Sequence, residues 1–177
     1  QSDQDGWSGF VEFAFDYNKS TKTDWELSNL SYLQWNNDLW SILLLNELNL
    51  DRAGGVDFSN DGFQHLRISN HLNKKYILEV FLQNQYDPVR KIENRRLFGS
   101  GLRIKFNNIG FVGVSAFYEN EHLFEDVLNR DFRLSTYSQF QFSLSKYVEF
   151  LTTMYFQPKL TNFSDYRISL EAAILIP

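Results

Sequence analysis

The chain has 177 residues, a net charge of −5 and no cysteine. That length fits a single domain, and the missing thiols exclude disulfides and thiol chemistry. Acids and bases are interspersed, so no basic stripe offers a footprint for nucleic acid.

Aromatic residues make up 17% of the chain, which favours strands. The mean hydropathy of −0.38 is too polar for a helical membrane protein. The most apolar run, from Trp40 to Leu48, is far shorter than the roughly 20 residues of a spanning helix. A transmembrane β-barrel stays open, because its strands alternate lipid-facing and lumen-facing residues and so keep a low average. The sequence starts at Gln1 without a signal-like segment, as a mature product after signal cleavage does.

Alternation with a period of two predicts about ten strands, each near the 9–11 residues of a tilted spanning strand. In chain order they cover Phe10–Tyr17, Asp24–Trp35, Leu39–Leu50, Phe63–Leu72 and Tyr76–Tyr86. A hairpin over Arg95–Glu119 supplies two more, joined at Asn107-Asn108-Ile109. Phe132–Leu144, Tyr147–Phe156 and Asp165–Ile176 complete the set. In the hairpin Phe98, Leu102, Ile104 and Phe106 share one face, while Gly99, Gly101, Arg103 and Lys105 share the other. In Asp165–Ile176, Tyr166, Ile168, Leu170, Ala172, Ile174 and Ile176 oppose Arg167, Ser169, Glu171 and Ala173.

The connections sort by length. Asn36–Asp38, Asn73–Lys75, Asn107–Ile109 and Ser145–Lys146 read as tight turns. Asn18–Thr23, Asp51–Gly62, Asp87–Asn94, Asn120–Asp131 and Gln157–Ser164 read as longer loops. Strict alternation of short and long is the habit of outer-membrane barrels, with short periplasmic turns and longer outer loops. Within Asn120–Asp131, Leu123, Phe124, Val127 and Leu128 have helical spacing and predict a short amphipathic segment, a cap or a docking element.

Aromatic residues mark both strand ends. Trp35, Trp40, Tyr76 and Phe106 lie on apolar faces beside the short turns. Tyr17, Trp25, Tyr86, Tyr118, Phe156 and Tyr166 lie on apolar faces beside the long loops. Two such belts are expected at the two interfaces of a membrane.

Several runs resemble a known family. Gln64-His-Leu-Arg67, Leu78–Tyr86, Arg95–Arg103, Phe117-Tyr-Glu119, Tyr155–Pro158 and Asp165-Tyr-Arg167 follow one another as in the YdiY-like, salt-induced outer-membrane proteins, a barrel family of unknown function. The likeness covers residues 60 to 175 and uses residues common to barrel strands. It implies an integral outer-membrane barrel in a Gram-negative envelope and brings no reaction. Members of that family continue beyond the segment matching Glu171–Pro177, so the expected strand number is ten, or twelve with a further C-terminal hairpin.

The polar faces collect Glu47, His65, Arg67, Glu79, Arg103, Lys105, Glu119, Arg133, Glu149, Arg167 and Glu171. Inside a narrow barrel these would line the lumen. They would either pair into a satisfied polar core or select a small polar solute or ion. Gly99, Gly101 and Gly113 on the same face would make room for large neighbours or let the sheet bend.

Catalysis is poorly provided for. His65 and His71 share a face about 20 Å apart and cannot hold one metal. His122 has acids beside it but no evident nucleophile. Asp57-Phe-Ser-Asn-Asp61-Gly62 resembles the start of a calcium loop, yet Ile68 stands where the helix-loop-helix form needs a bidentate Glu. A polar turn is the plainer reading.

The expectation is therefore an all-β, antiparallel up-and-down transmembrane barrel in the outer membrane, with no catalytic site, metal or cofactor. Its partners would be outer-membrane lipid and other envelope proteins met through loops or barrel wall. As to role, a structural or accessory subunit comes first, a narrow passive channel second and a soluble lipocalin-like carrier third.

Overall fold

In the computed structural model the described residues are 5–21, 23–106, 109–145 and 147–176, with the side chains of 56–59 and 144 also left aside. Ten strands form one antiparallel sheet in sequence order: β1 (Gly6–Lys19), β2 (Thr23–Asn36), β3 (Trp40–Ala53), β4 (Val56–His71), β5 (Tyr76–Asp87), β6 (Ile92–Phe106), β7 (Gly110–Leu123), β8 (Val127–Ser145), β9 (Val148–Lys159) and β10 (Asn162–Leu175). Each strand pairs with its sequence neighbours, as short antiparallel connections dictate. β1 and β10 end the strand order and are exposed over most of their length on both faces.

The connections differ from the sequence expectation. Only a few residues separate any two strands, and the segments read as long loops are mostly strand. β3 and β4 meet across Gly54-Gly55, with φ of 59° and 86°. Two left-handed residues in succession make the tight turn that matches strand twist, and glycine accepts that conformation freely. β7 and β8 meet at Phe124–Asp126, where Glu125 and Asp126 hold φ of 75° and 58°. The amphipathic helical segment expected at Leu123–Leu128 is thus a strand hairpin. Its apolar side chains fit a helical period, but β7 runs to Leu123 and β8 starts at Val127, and the Phe124 amide between them donates to the Lys91 carbonyl at 3.0 Å. Loop-length sorting is replaced by strands that reach further at one end than the alternation indicates.

By density of backbone contacts the chain has two compact units. The first comprises residues 1–68, 81–98 and 119–130; the second comprises 69–80, 99–118 and 131–177. β1–β3 belong to the first and β9–β10 to the second, while β4–β8 contribute to both.

The polarity of burial is reversed from that of a water-soluble protein. Among the described residues the buried hydrophobics are Ile77, Ile92, Leu97 and Phe117. Buried polar or charged side chains include Glu79, Arg103, Glu119, Glu121 and Arg133. The strands' apolar faces are exposed: Phe13 is 66% accessible, Ile168 63% and Leu170 66%. Globular proteins bury the opposite set.

Candidate functional site

Two clusters of charge form on the polar face. In the first unit Arg95 Nε lies 2.6 Å from Glu119 Oε1 and 3.7 Å from Glu121 Oε1. Glu119 is fully buried. Asn129 donates to Glu121 from β8 at 3.3 Å. Strand parity carries Glu119 and Glu121 to one face of β7, and β6 brings Arg95 beside them. One arginine thus serves two carboxylates, which makes their burial tolerable.

In the second unit Arg103 Nη2 lies 2.6 Å from Glu79 Oε1, with both side chains almost wholly buried. This close contact is an ion pair whose angles lie outside hydrogen-bond geometry. Tyr137 donates its hydroxyl to Glu79, and Ser69 donates to the same carboxylate at 3.2 Å. The Arg103 guanidinium stacks over Phe111, 4.3 Å from the ring centroid, and stands 5.8 Å from the centroid of Tyr137. A weakly hydrated planar cation suits such an aromatic bed. The Tyr137 ring in turn covers Gly113, where any Cβ would collide with it. Of the three glycines expected to make room for large neighbours, Gly113 does so for Tyr137, and Gly101 lies tight against Ser115.

The eleven predicted lining residues distribute unevenly. His65, Glu79, Arg103, Glu119 and Arg133 are buried. Arg67, Lys105, Glu149 and Arg167 are half-buried. Arg133 reaches Asp165 Oδ1 at 3.0 Å, and Glu149 accepts from Gln141 at 2.8 Å. Glu47 and Glu171 are exposed and join neither cluster. Glu47 stands beside Leu30 in the β2–β3 register, and Glu171 lies on β10 at the end of the strand order. Arg95, Glu121 and Tyr137 are charged or hydrogen-bonding participants that sequence reasoning missed. Tyr137's place on the polar face of β8 was legible, but its partner Glu79 is 58 residues away.

Several of the strand-end aromatics meet other rings across strands. Tyr17 faces Trp25, while Tyr118 packs on Phe132 at 5.1 Å and Phe156 on Tyr166 at 5.7 Å between centroids. Phe106 lies 6.4 Å from Phe140. Trp40 and Tyr76 are exposed at the ends of their strands. Trp35 faces Trp7, a 75% exposed indole that joins the turn-side group. Tyr86 is half-buried, with its ring over Gly62. The apolar face also carries hydrogen-bonded carboxamides: Asn46 donates to Asn29 at 2.6 Å, and Asn84 to Gln64 at 2.9 Å.

His65 and His122 have structural surroundings. His65 lies between the rings of Phe63 and Phe81, with Nδ1 3.4 Å from Gln83 Oε1. His122 Nδ1 lies 3.0 Å from Glu93 Oε2 near the β7–β8 turn. Asp61 sits on β4 and accepts from Asn49, whereas the side chains of Asp57 to Ser59 lie outside the described residues. Also outside are Asn107, Asn108, Lys146 and Pro177, which sequence reasoning placed in turns, and the side chain of Leu144. Among the described residues no group of three His, Asp or Glu side chains could hold a metal. An open trough of about 280 Å³ on the apolar face is lined by Val112, Thr136, Tyr137, Ser138, Phe140, Met154 and Phe156. It offers no nucleophile paired with a base.

The chain matches no protein-family model, no curated protein and no solved structure.

Proposed function

We propose that this chain is an integral outer-membrane protein whose ten strands close as a barrel, and that it acts as a structural or accessory subunit rather than an enzyme. One observation carries the reading: the charged face of the sheet is buried and the apolar face is exposed along its middle. In water that arrangement costs twice, through exposed hydrocarbon and through desolvated charge. In lipid the exposed apolar residues are at home, and the charges lie away from the hydrocarbon. Rings at both strand ends suit the two interfaces. Partners would be outer-membrane lipid and other envelope proteins, with no nucleic acid.

A vesicle flotation assay tests the location. The refolded chain should float with liposomes and resist an alkaline wash; a chain that stays monodisperse in buffer without detergent sinks the reading. The narrow channel is the second reading, favoured by the half-buried Arg67, Lys105, Glu149 and Arg167 on the polar face, which keep some access to solvent. A planar-bilayer current that changes in Arg103→Ala would support it, and silence would leave the subunit. A lipocalin-like carrier needs an apolar interior, the reverse of the burial described above.

A further inference from the structure

The exposed apolar face of β1–β3 is interrupted halfway along its strands. Asn29 and Ser31 on β2, and Asn46 on β3, lie among Leu27, Leu33, Leu44 and Leu48 on the same face. In the register Ser31 stands between Val11 and Asn46, and Asn29 between Phe13 and Leu48. Val11 and Phe13 are 63% and 66% exposed. Asn29 Oδ1 accepts from Asn46 Nδ2 at 2.6 Å and from Ser31 Oγ at 3.1 Å. Asn29 Nδ2 donates to the Glu12 carbonyl at 2.9 Å. The contacts of Asn46 among the described residues leave one of its N–H groups and its Oδ1 unused.

From this geometry we propose that the β1–β3 face centred on Asn29, Ser31 and Asn46 docks a second copy of this chain within the membrane. The proposal rests on the membrane reading above. At mid-strand, acyl chains offer neither donor nor acceptor, so the spare amide groups of Asn46 would go unmet there. A partner must supply one donor and one acceptor at one point. An identical Asn46, brought opposite by a two-fold axis, supplies both. Isologous contacts are the commonest way for identical chains to associate, and carboxamides contribute to association inside bilayers. Leu44, beside Asn46 on the same face of β3, would close against its counterpart and exclude lipid.

The native chain has no cysteine, so a single thiol reports proximity cleanly. Leu44→Cys and, as a control on β10, Leu170→Cys would be reconstituted separately in phosphatidylcholine–phosphatidylglycerol vesicles and oxidised with copper phenanthroline. Leu44→Cys should cross-link to dimer and Leu170→Cys should not. Adding Asn46→Leu should require about tenfold more protein per lipid for the same dimer fraction, the effect of losing two modest hydrogen bonds. Flotation of every variant runs alongside. A chain that stays out of the vesicles fails the membrane reading and takes this proposal with it. A chain that floats but stays monomeric overturns the proposal alone. So does a dimer indifferent to Asn46→Leu.

Discussion

Glu79 shows what a buried charge needs in this molecule. Its carboxylate has the Arg103 guanidinium, the Tyr137 hydroxyl and the Ser69 hydroxyl as partners. Removing the cation leaves the anion buried with two hydroxyl donors and no countercharge. Arg103→Ala should therefore destabilise the fold by about 3–5 kcal/mol. Replacing both charges by Arg103→Met with Glu79→Leu should cost less than the single change, because apolar pairs of similar volume are often neutral. Urea unfolding of the refolded protein, followed by tryptophan fluorescence, measures both. Gly113→Ala probes the same cluster from beneath. Its methyl group would meet the Tyr137 ring and move the hydroxyl off Glu79. Overpacking of this kind costs about 1–3 kcal/mol. Near-ultraviolet circular dichroism should report the displaced tyrosine, and an unchanged spectrum with unchanged stability would refute the packing account.

The strands were legible because side-chain direction in a strand has a period of two. The number of strands and the division of faces follow from residues such as Ile168 and Leu170 against Arg167 and Ser169. The hairpin tips were not legible. Gly54, Gly55, Glu125 and Asp126 are polar or lack a side chain, so alternation fades towards these turns although the strands run right up to Ala53, Val56, Leu123 and Val127. Leu123, Phe124, Val127 and Leu128 fit a helix only while the pairing of β7 with β8 is unknown. The charged clusters were half legible: Arg103 and Glu79 fall on polar faces by parity, but which charges meet depends on register between strands. At the element scale the β3–β4 turn gives the prediction. A side chain at φ of 59° or 86° is strained, so Gly54→Ala and Gly55→Ala should each cost about 1–2 kcal/mol. The loss should be local. Hydrogen exchange should quicken at the ends of β3 and β4, including the Gly54 amide, which donates to the Thr23 carbonyl at 3.0 Å, and should hold elsewhere. Uniformly faster exchange would show that the tip is coupled to the whole sheet.

For the molecule as a whole the question is which solvent the apolar face meets, and two adjacent residues on β10 can answer it. Leu170 lies mid-strand on the apolar face and is 66% exposed. Ser169 precedes it, is also exposed, and points to the opposite face. In water both positions are surface, and Leu170→Arg and Ser169→Arg should each change stability by no more than about 0.5 kcal/mol. With the apolar face in lipid the two must differ. An arginine at mid-depth on the lipid side costs about 2–4 kcal/mol, whereas one on the other face keeps its water or polar neighbours. The expected outcome is a loss of about 2–4 kcal/mol for Leu170→Arg and near-neutrality for Ser169→Arg, measured by unfolding titration in vesicles. Comparing adjacent positions cancels the effect of adding an arginine to this strand and isolates the medium. Equal and small losses would mean that hydrocarbon does not surround β10. The exposed Leu170, Ile168 and Ile174 would then need another chain to cover them.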